Sequence, residues 1–113
     1  MRSQLFLLTL LAGAAFAHTN LKEAIPAADS TVAAPTNVIL HFSGDLEPKF
    51  SQITVTDATG HVVNKESSTV GPDTKSMSVT LPATLKPGVY MVNWVGVSVD
   101  THRSTGDYKF TVK

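Results

Sequence analysis

Apolar and polar side chains alternate along five segments of the chain, at residues 37–42, 51–57, 76–81, 88–100 and 106–112. Successive side chains of a strand point to opposite faces, so this period of two predicts half-buried β-strands. The positions expected to face inward are Val38, Leu40, Phe42, Ile53, Val55, Met77, Val79, Leu81, Tyr108, Phe110 and Val112. No segment shows an apolar period of 3.6 residues, so we expect no long helix.

Stretches that contain glycine and proline separate these segments and indicate turns, among them "DATGH", "VGPD" and "LKPGV". Six or seven short strands in fewer than a hundred residues predict two antiparallel sheets packed face to face, in a Greek-key sandwich. Trp94 lies in the longest apolar segment and is expected to be a buried anchor of the core.

The first 17 residues have the pattern of a secretory signal. Arg2 precedes an uncharged apolar run, and Ala15-Phe16-Ala17 forms an A-x-A cleavage site. The run is shorter than the ~20 residues of a transmembrane helix. We therefore expect a signal peptide over 1–17 and one mature domain over 18–113, with His18 as its first residue. An uncleaved anchor, or a cut elsewhere within "LAGAAFA", is the alternative.

Charge and cysteine content narrow the function classes. The expected mature chain carries eight cations against nine acids, which gives no reason to expect nucleic acid or an anionic membrane as partner. It has no cysteine, which excludes disulfides, thiolate metal sites and c-type haem attachment. No serine or cysteine nucleophile constellation and no phosphate-binding glycine loop stands out.

Four histidines remain after the expected cleavage. His61 lies in a glycine turn and is expected to be solvated, and His41 lies on the polar side of a predicted strand. Asp100 and His102 are two positions apart, which places both side chains on the same side of an extended segment. Alone, this D-x-H spacing is a weak signal, because incidental surface pairs have the same pattern.

An N-terminal His18 would strengthen that signal, because it offers a metal both its α-amine and its imidazole. With the imidazole of His102 and the carboxylate of Asp100, the donor set becomes three nitrogens and one oxygen. A tetragonal set of this kind suits Cu(II), and Zn(II) would accept similar donors in a tetrahedron. The two halves are 84 positions apart, so only the fold could bring them together.

The mature sequence resembles the CopC-type copper-binding proteins of the bacterial periplasm. The likeness lies in the histidine after the signal, in "HFSGDLEPKFS" (41–51) and in "LKPGVYMVNWVGVSVDTHRSTGDYKFTV" (85–112). It implies a seven-stranded antiparallel Greek-key β-sandwich, immunoglobulin-like or cupredoxin-like in appearance. It also implies that one Cu(II) is held by the amine and imidazole of His18 with Asp100 and His102.

Two features depart from the family pattern. Some members carry a methionine-rich loop for Cu(I), whereas the mature chain has only Met77 and Met91, both at strand positions expected to pack in the core. A Cu(II)-only protein is therefore expected. Family members often have an acid directly after "HFS", whereas here Gly44 precedes Asp45. Asp45 is expected to be a solvated loop residue or an imperfect substitute.

Three functions compete on this evidence. The first is a monomeric, non-enzymatic copper carrier or buffer of the periplasm, serving copper homeostasis, resistance or delivery. Its expected partners are the copper ion and an inner-membrane copper transporter or another periplasmic copper protein, without stable membrane insertion. The second is a small oxidative enzyme with a histidine-brace copper centre. The third is a structural β-sandwich that binds no metal.

Overall fold

The computed structural model describes residues 19–113, which form two four-stranded sheets packed face to face. The strands are β1 (Leu21–Ile25), β2 (Thr31–Val32), β3 (Asn37–Phe42), β4 (Gln52–Asp57), β5 (Thr69–Val70), β6 (Ser76–Thr80), β7 (Gly88–Val97) and β8 (Arg103–Val112). The first sheet has the order β1-β3-β6-β5 and the second the order β2-β8-β7-β4. Within residues 19–113, no helix is long and apolar enough to span a membrane.

The core lies between the sheets and is built from the inward positions of the alternating segments. The predicted all-β sandwich is confirmed, and ten of the eleven residues expected to face inward are buried. Tyr108 is half-buried and packs against the core. Fully burying a large apolar side chain contributes about 1.5–3 kcal/mol, so this shared interior is the main source of stability.

Three strands were not predicted, because their sequences lack a clear alternation. β1 and β5 are edge strands of the first sheet, and β2 and β5 are only two residues long. The chain thus has eight strands among its described residues rather than seven. The prediction of purely antiparallel sheets was wrong at one place, because β2 runs parallel to β8.

The longest predicted strand, 88–100, ends earlier than expected. β7 stops at Val97, and residues 98–102 form the turn that leads into β8, whose ten residues pair with those of β7. Val97, Ser98 and Val99 continue the alternation of apolar and polar residues beyond the end of β7. The hydrophobic pattern alone therefore does not reveal the turn. The prediction that Asp100 and His102 lie in an extended strand was therefore wrong, although both side chains come together.

Trp94 is an anchor of the core, as predicted. Its ring packs edge-on against Phe42, with 5.1 Å between the ring centroids. On the neighbouring strand it lies over Gly106, its partner in the β7–β8 register. A Cβ atom added at Gly106 would lie 2.6 Å from Cζ2 of Trp94, so the ring occupies the space that any side chain there would need.

The outer edge of β4 is covered by the segment 61–68. The backbone N–H of Val55 donates to the side-chain oxygen of Asn64 at 2.8 Å, and that of Ile53 donates to the hydroxyl of Ser68 at 3.0 Å. The N–H of Val63 donates back to the carbonyl of Val55 at 2.8 Å. These three backbone groups of the edge strand are thus satisfied within the chain.

The turn after β4 is held by the carboxylate of Asp57. Its Oδ1 accepts hydrogen bonds from the hydroxyl and N–H of Thr59 (2.7 and 2.9 Å) and from the N–H of His61 (3.0 Å). These bonds lower the pKa of Asp57, and the bond from the Thr59 hydroxyl lowers it most. The charged form therefore stabilises the fold above the unfolded pKa of about 3.9, and this contribution is lost as the pH falls through the lower folded pKa.

We expect Asp57→Ala to lower the melting temperature at pH 7, and to lower it progressively less as the pH falls below the unfolded pKa of about 3.9 and the wild-type carboxyl becomes protonated. Thermal melts of both proteins from pH 7 to pH 2 measure this. Asp107→Ala is the matched control, since Asp107 is exposed on β8 and makes no side-chain hydrogen bond to residues 19–113. A stability difference for Asp57→Ala that stayed constant with pH would contradict the expectation.

Candidate metal site

The candidate site is centred on the 98–102 turn between β7 and β8. The N–H of Ser98 donates to the carbonyl of His102 at 2.9 Å, and the N–H of Thr101 donates to the carbonyl of Ser98 at 2.8 Å. Thr101 has a φ of 74°, a conformation that is uncommon for a residue other than glycine. The tight turn brings the side chains on either side of Thr101 together.

Asp100 and His102 form a pair on this turn. Nδ1 of His102 lies 3.1 Å from Oδ1 of Asp100, and both side chains are about half exposed. A carboxylate accepts hydrogen bonds, so this contact places the proton of a neutral imidazole on Nδ1. At metal sites, a contact of this kind between a carboxylate and a histidine fixes the orientation of the imidazole ring.

The carboxylate of Asp100 is held in its charged form. The hydroxyl of Ser98 donates to Oδ1, and this bond, followed by that from His102, lowers the pKa of Asp100 to about 2. Within residues 19–113, no hydrogen bond reaches Oδ2. The turn therefore holds a charged carboxylate beside an imidazole, and both side chains are about half exposed.

The first described residues are fixed to the loop after β3. Thr19 is buried, and its Oγ1 would lie 2.9 Å from a Cβ atom at Gly44, so the absence of a side chain at Gly44 permits this contact. The N–H of Asn20 donates to the hydroxyl of Ser43 at 2.9 Å, and the N–H of Ser43 donates to the carbonyl of Asn20 at 2.8 Å. The chain next to residue 18 thus has a defined position.

The same loop is joined to the turn that carries the Asp100–His102 pair. Leu46 is fully buried and forms an isolated antiparallel bridge with Ser98. The N–H of Glu47 donates to the carbonyl of Val97 at 2.7 Å. The segment 43–47 therefore contacts both the start of the described chain and the beginning of the 98–102 turn.

The other candidate residues lie elsewhere. His61 is exposed in its turn, as expected, with Nδ1 2.8 Å from the hydroxyl of Thr59. His41 is half-buried on β3, where it pairs with Glu23 of β1 and Ser76 of β6.

Asp45 is exposed and accepts hydrogen bonds from the hydroxyl of Thr74 at 2.5 Å and Nζ of Lys75 at 3.1 Å. These contacts lower the pKa of Asp45, the Thr74 bond most.

The two methionines do not form a common site. Met77 is buried on β6 of the first sheet, as predicted, whereas Met91 is only half-buried on β7 of the second sheet. The expectation that both pack in the core therefore holds for Met77 and only in part for Met91.

His18 and the expected signal peptide lie outside the described residues. Among residues 19–113, no group of three or more histidine and carboxylate side chains could hold a metal. Sequence reasoning did not single out Ser98, although it stands two residues before Asp100 on the same short segment. The signal available in the sequence was the spacing of Ser98, Asp100 and His102, which alternate in the order S-x-D-x-H.

Comparison with known proteins supports both the β-sandwich fold and the family resemblance that the sequence shows. The CopC domain matches residues 21–113. The chain is 44% identical over 110 residues to copper resistance protein C of Escherichia coli, which covers 91% of this chain and 87% of that protein.

Two solved structures are similar over most of their length. The crystal structure of CopC from Methylosinus trichosporium OB3b has a TM-score of 0.78 and 37% identity, and covers 85% of this chain and 94% of that one. PcoC, described as a methionine-rich copper resistance protein from Escherichia coli, has a TM-score of 0.78 and 42% identity, and covers 86% and 100%. The chain belongs to the CopC family.

Proposed function

We propose that this protein is an exported copper carrier or buffer that binds one Cu(II) ion after removal of residues 1–17. The ligands are the α-amine and imidazole of His18, the carboxylate of Asp100 and the imidazole of His102. The observation that carries the proposal is the half-exposed Asp100–His102 pair, on a turn joined through segment 43–47 to the first described residues.

The chemistry of the donor set supports copper. The pair supplies one imidazole nitrogen and one carboxylate oxygen, and the described chain adds no third histidine or carboxylate. An N-terminal histidine would contribute two nitrogens that chelate the same ion. Three nitrogens and one oxygen suit the tetragonal preference of Cu(II), and Cu(II) binds such donors more tightly than other divalent first-row ions.

The position of the chain start supports the participation of His18. Thr19 packs against Gly44, and Asn20 is hydrogen-bonded to Ser43. The same segment continues to Leu46, which forms an isolated β-bridge with Ser98. Residues 19 and 20 are thereby attached to a part of the fold that also contacts the Asp100–His102 turn. The 84-residue separation in sequence would be closed by these contacts.

Copper is the cargo in this proposal, and no turnover is needed. The two Escherichia coli relatives reported above are named copper resistance proteins, which supports a role in capture and delivery. The protein would act in the periplasm as a monomer and pass copper to an inner-membrane transporter or to another periplasmic copper protein. An exposed pair of ligands suits such transfer, because an incoming ligand can reach the ion.

The first test is a titration of the exported, processed protein with Cu(II), followed by the fluorescence of Trp94. We expect one equivalent to bind, and His102→Ala to lower the affinity by more than ~100-fold, because even changes to groups behind a ligand cost 10–100-fold. His61→Ala is the matched control, since it removes an exposed imidazole from a distant turn.

Equal affinities of the wild type and the His102→Ala variant would contradict the proposed ligand set. A protein that binds no Cu(II) at all would leave a structural sandwich as the better description. Sustained oxidation of a polysaccharide by oxygen, with ascorbate as the reductant, would instead indicate the oxidative enzyme.

A further inference from the structure

Ser98 lies where β7 ends and the 98–102 turn begins, and only 6% of it is exposed. Its hydroxyl donates a hydrogen bond to Oδ1 of Asp100 and accepts one from the backbone N–H of His102 at 3.2 Å. One buried hydroxyl therefore contacts both members of the candidate metal pair.

The backbone of Ser98 is fixed from two sides. It pairs with Leu46 of the segment that also contacts the start of the chain. Its N–H and carbonyl close the turn through His102 and Thr101. The hydroxyl is thus attached to a rigid part of the fold, whereas Asp100 and His102 are half exposed.

We propose that Ser98 is a positioning residue for the metal, which orients Asp100 so that its carboxylate and the imidazole of His102 remain the two donors of the turn. Without the hydroxyl, the Asp100 carboxylate is free to rotate, because its terminal torsion has broad minima. The ring of His102 then loses part of its fixed orientation as well, since it is held by the same Oδ1. This inference rests on the proposed function, because it requires Asp100 and His102 to be ligands.

A buried serine can also act through stability alone, and Ser51 provides the comparison. Ser51 is 7% exposed, and its hydroxyl accepts a hydrogen bond from the N–H of Val97 at 3.0 Å. It therefore stabilises the same end of β7 as Ser98. It makes no hydrogen bond to Asp100 or His102. Loss of the Ser51 hydroxyl reports the cost in stability without the proposed positioning.

The experiment compares Ser98→Ala, Ser98→Thr and Ser51→Ala with the wild type, each purified after export of the full chain. Cu(II) affinity, the electron paramagnetic resonance spectrum of the bound Cu(II) and the melting temperature of the metal-free protein are measured. We expect Ser98→Ala to bind one Cu(II) with ~10–100-fold lower affinity and an altered copper hyperfine coupling. Ser98→Thr retains the hydroxyl and should restore the affinity and spectrum.

Ser51→Ala should lower the melting temperature and leave both the Cu(II) affinity and the spectrum unchanged. The role of Ser98 is overturned if Ser98→Ala binds Cu(II) like the wild type, or if Ser51→Ala loses affinity to the same extent. It is also overturned if Ser98→Thr folds yet binds no better than Ser98→Ala. Failure of the wild type to bind Cu(II) would overturn the proposed function itself, which is a different result.

Discussion

A single glycine added before His18 should weaken Cu(II) binding by more than ~100-fold. The addition converts the α-amine into a peptide nitrogen, which binds a metal only after losing an amide proton, and it moves the new amine away from the imidazole. The chelate formed by one residue is then lost, although every side chain is retained. Cu(II) titration of the two proteins, with their N-termini established by mass spectrometry, measures the effect.

The fold provides the control for this experiment. The described structure begins at Thr19, which is buried against Gly44, so an addition before residue 18 should leave the melting temperature of the metal-free protein unchanged. A glycine added after Lys113, at the opposite terminus, is the matched variant and should bind Cu(II) like the wild type. Equal affinity for both extended proteins would show that the amine is not a ligand.

Replacement of Gly106 by alanine should lower the free energy of unfolding by about 1–3 kcal/mol, the usual cost of overpacking a well-filled core. The new Cβ atom would lie 2.6, 2.8 and 2.9 Å from Cζ2, Cε2 and Nε1 of Trp94. The indole also packs edge-on against Phe42, with 5.1 Å between the ring centroids, and this contact restrains its movement. Denaturant unfolding followed by circular dichroism, which does not depend on Trp94, measures the loss.

Gly96 is the matched control for Gly106, because it is a buried glycine of the partner strand β7. A Cβ atom there would meet Phe42, Leu46 and Trp94 at 3.4–3.7 Å, which is ordinary van der Waals contact. We expect Gly96→Ala to change stability much less. The cost of Gly106→Ala should also shrink in a Trp94→Phe background, because the smaller ring vacates the space. An unchanged cost in that background would contradict the steric explanation.

The strands that alternation predicted are those with one face on the core. β3, for example, matches its predicted bounds, because Val38, Leu40 and Phe42 must all face inward. β1, β2 and β5 escaped prediction for the opposite reason. They are short or lie at sheet edges, so they bury few side chains and their pairing comes from backbone hydrogen bonds that any sequence can make.

The candidate site was only partly predictable, for a similar reason. The D-x-H spacing identified Asp100 and His102, yet their contact arises from a turn with Thr101 at positive φ rather than from an extended strand. Ser98 acts through a hydrogen bond within that turn, which a hydrophobic pattern does not encode. The contacts from Asn20 to Ser43 and from Leu46 to Ser98 depend on how distant segments pack.

The cover over β4 has a consequence for self-association. Two of the four sheet edges, β2 and β5, are two residues long, and on β4 the N–H groups of Ile53 and Val55 are taken by side chains of the 61–68 segment. An exposed edge strand is a template to which another chain can add, and from which fibrils grow. A second molecule would find little free backbone along these three edges. Edge-to-edge association of two molecules is therefore disfavoured along these three edges.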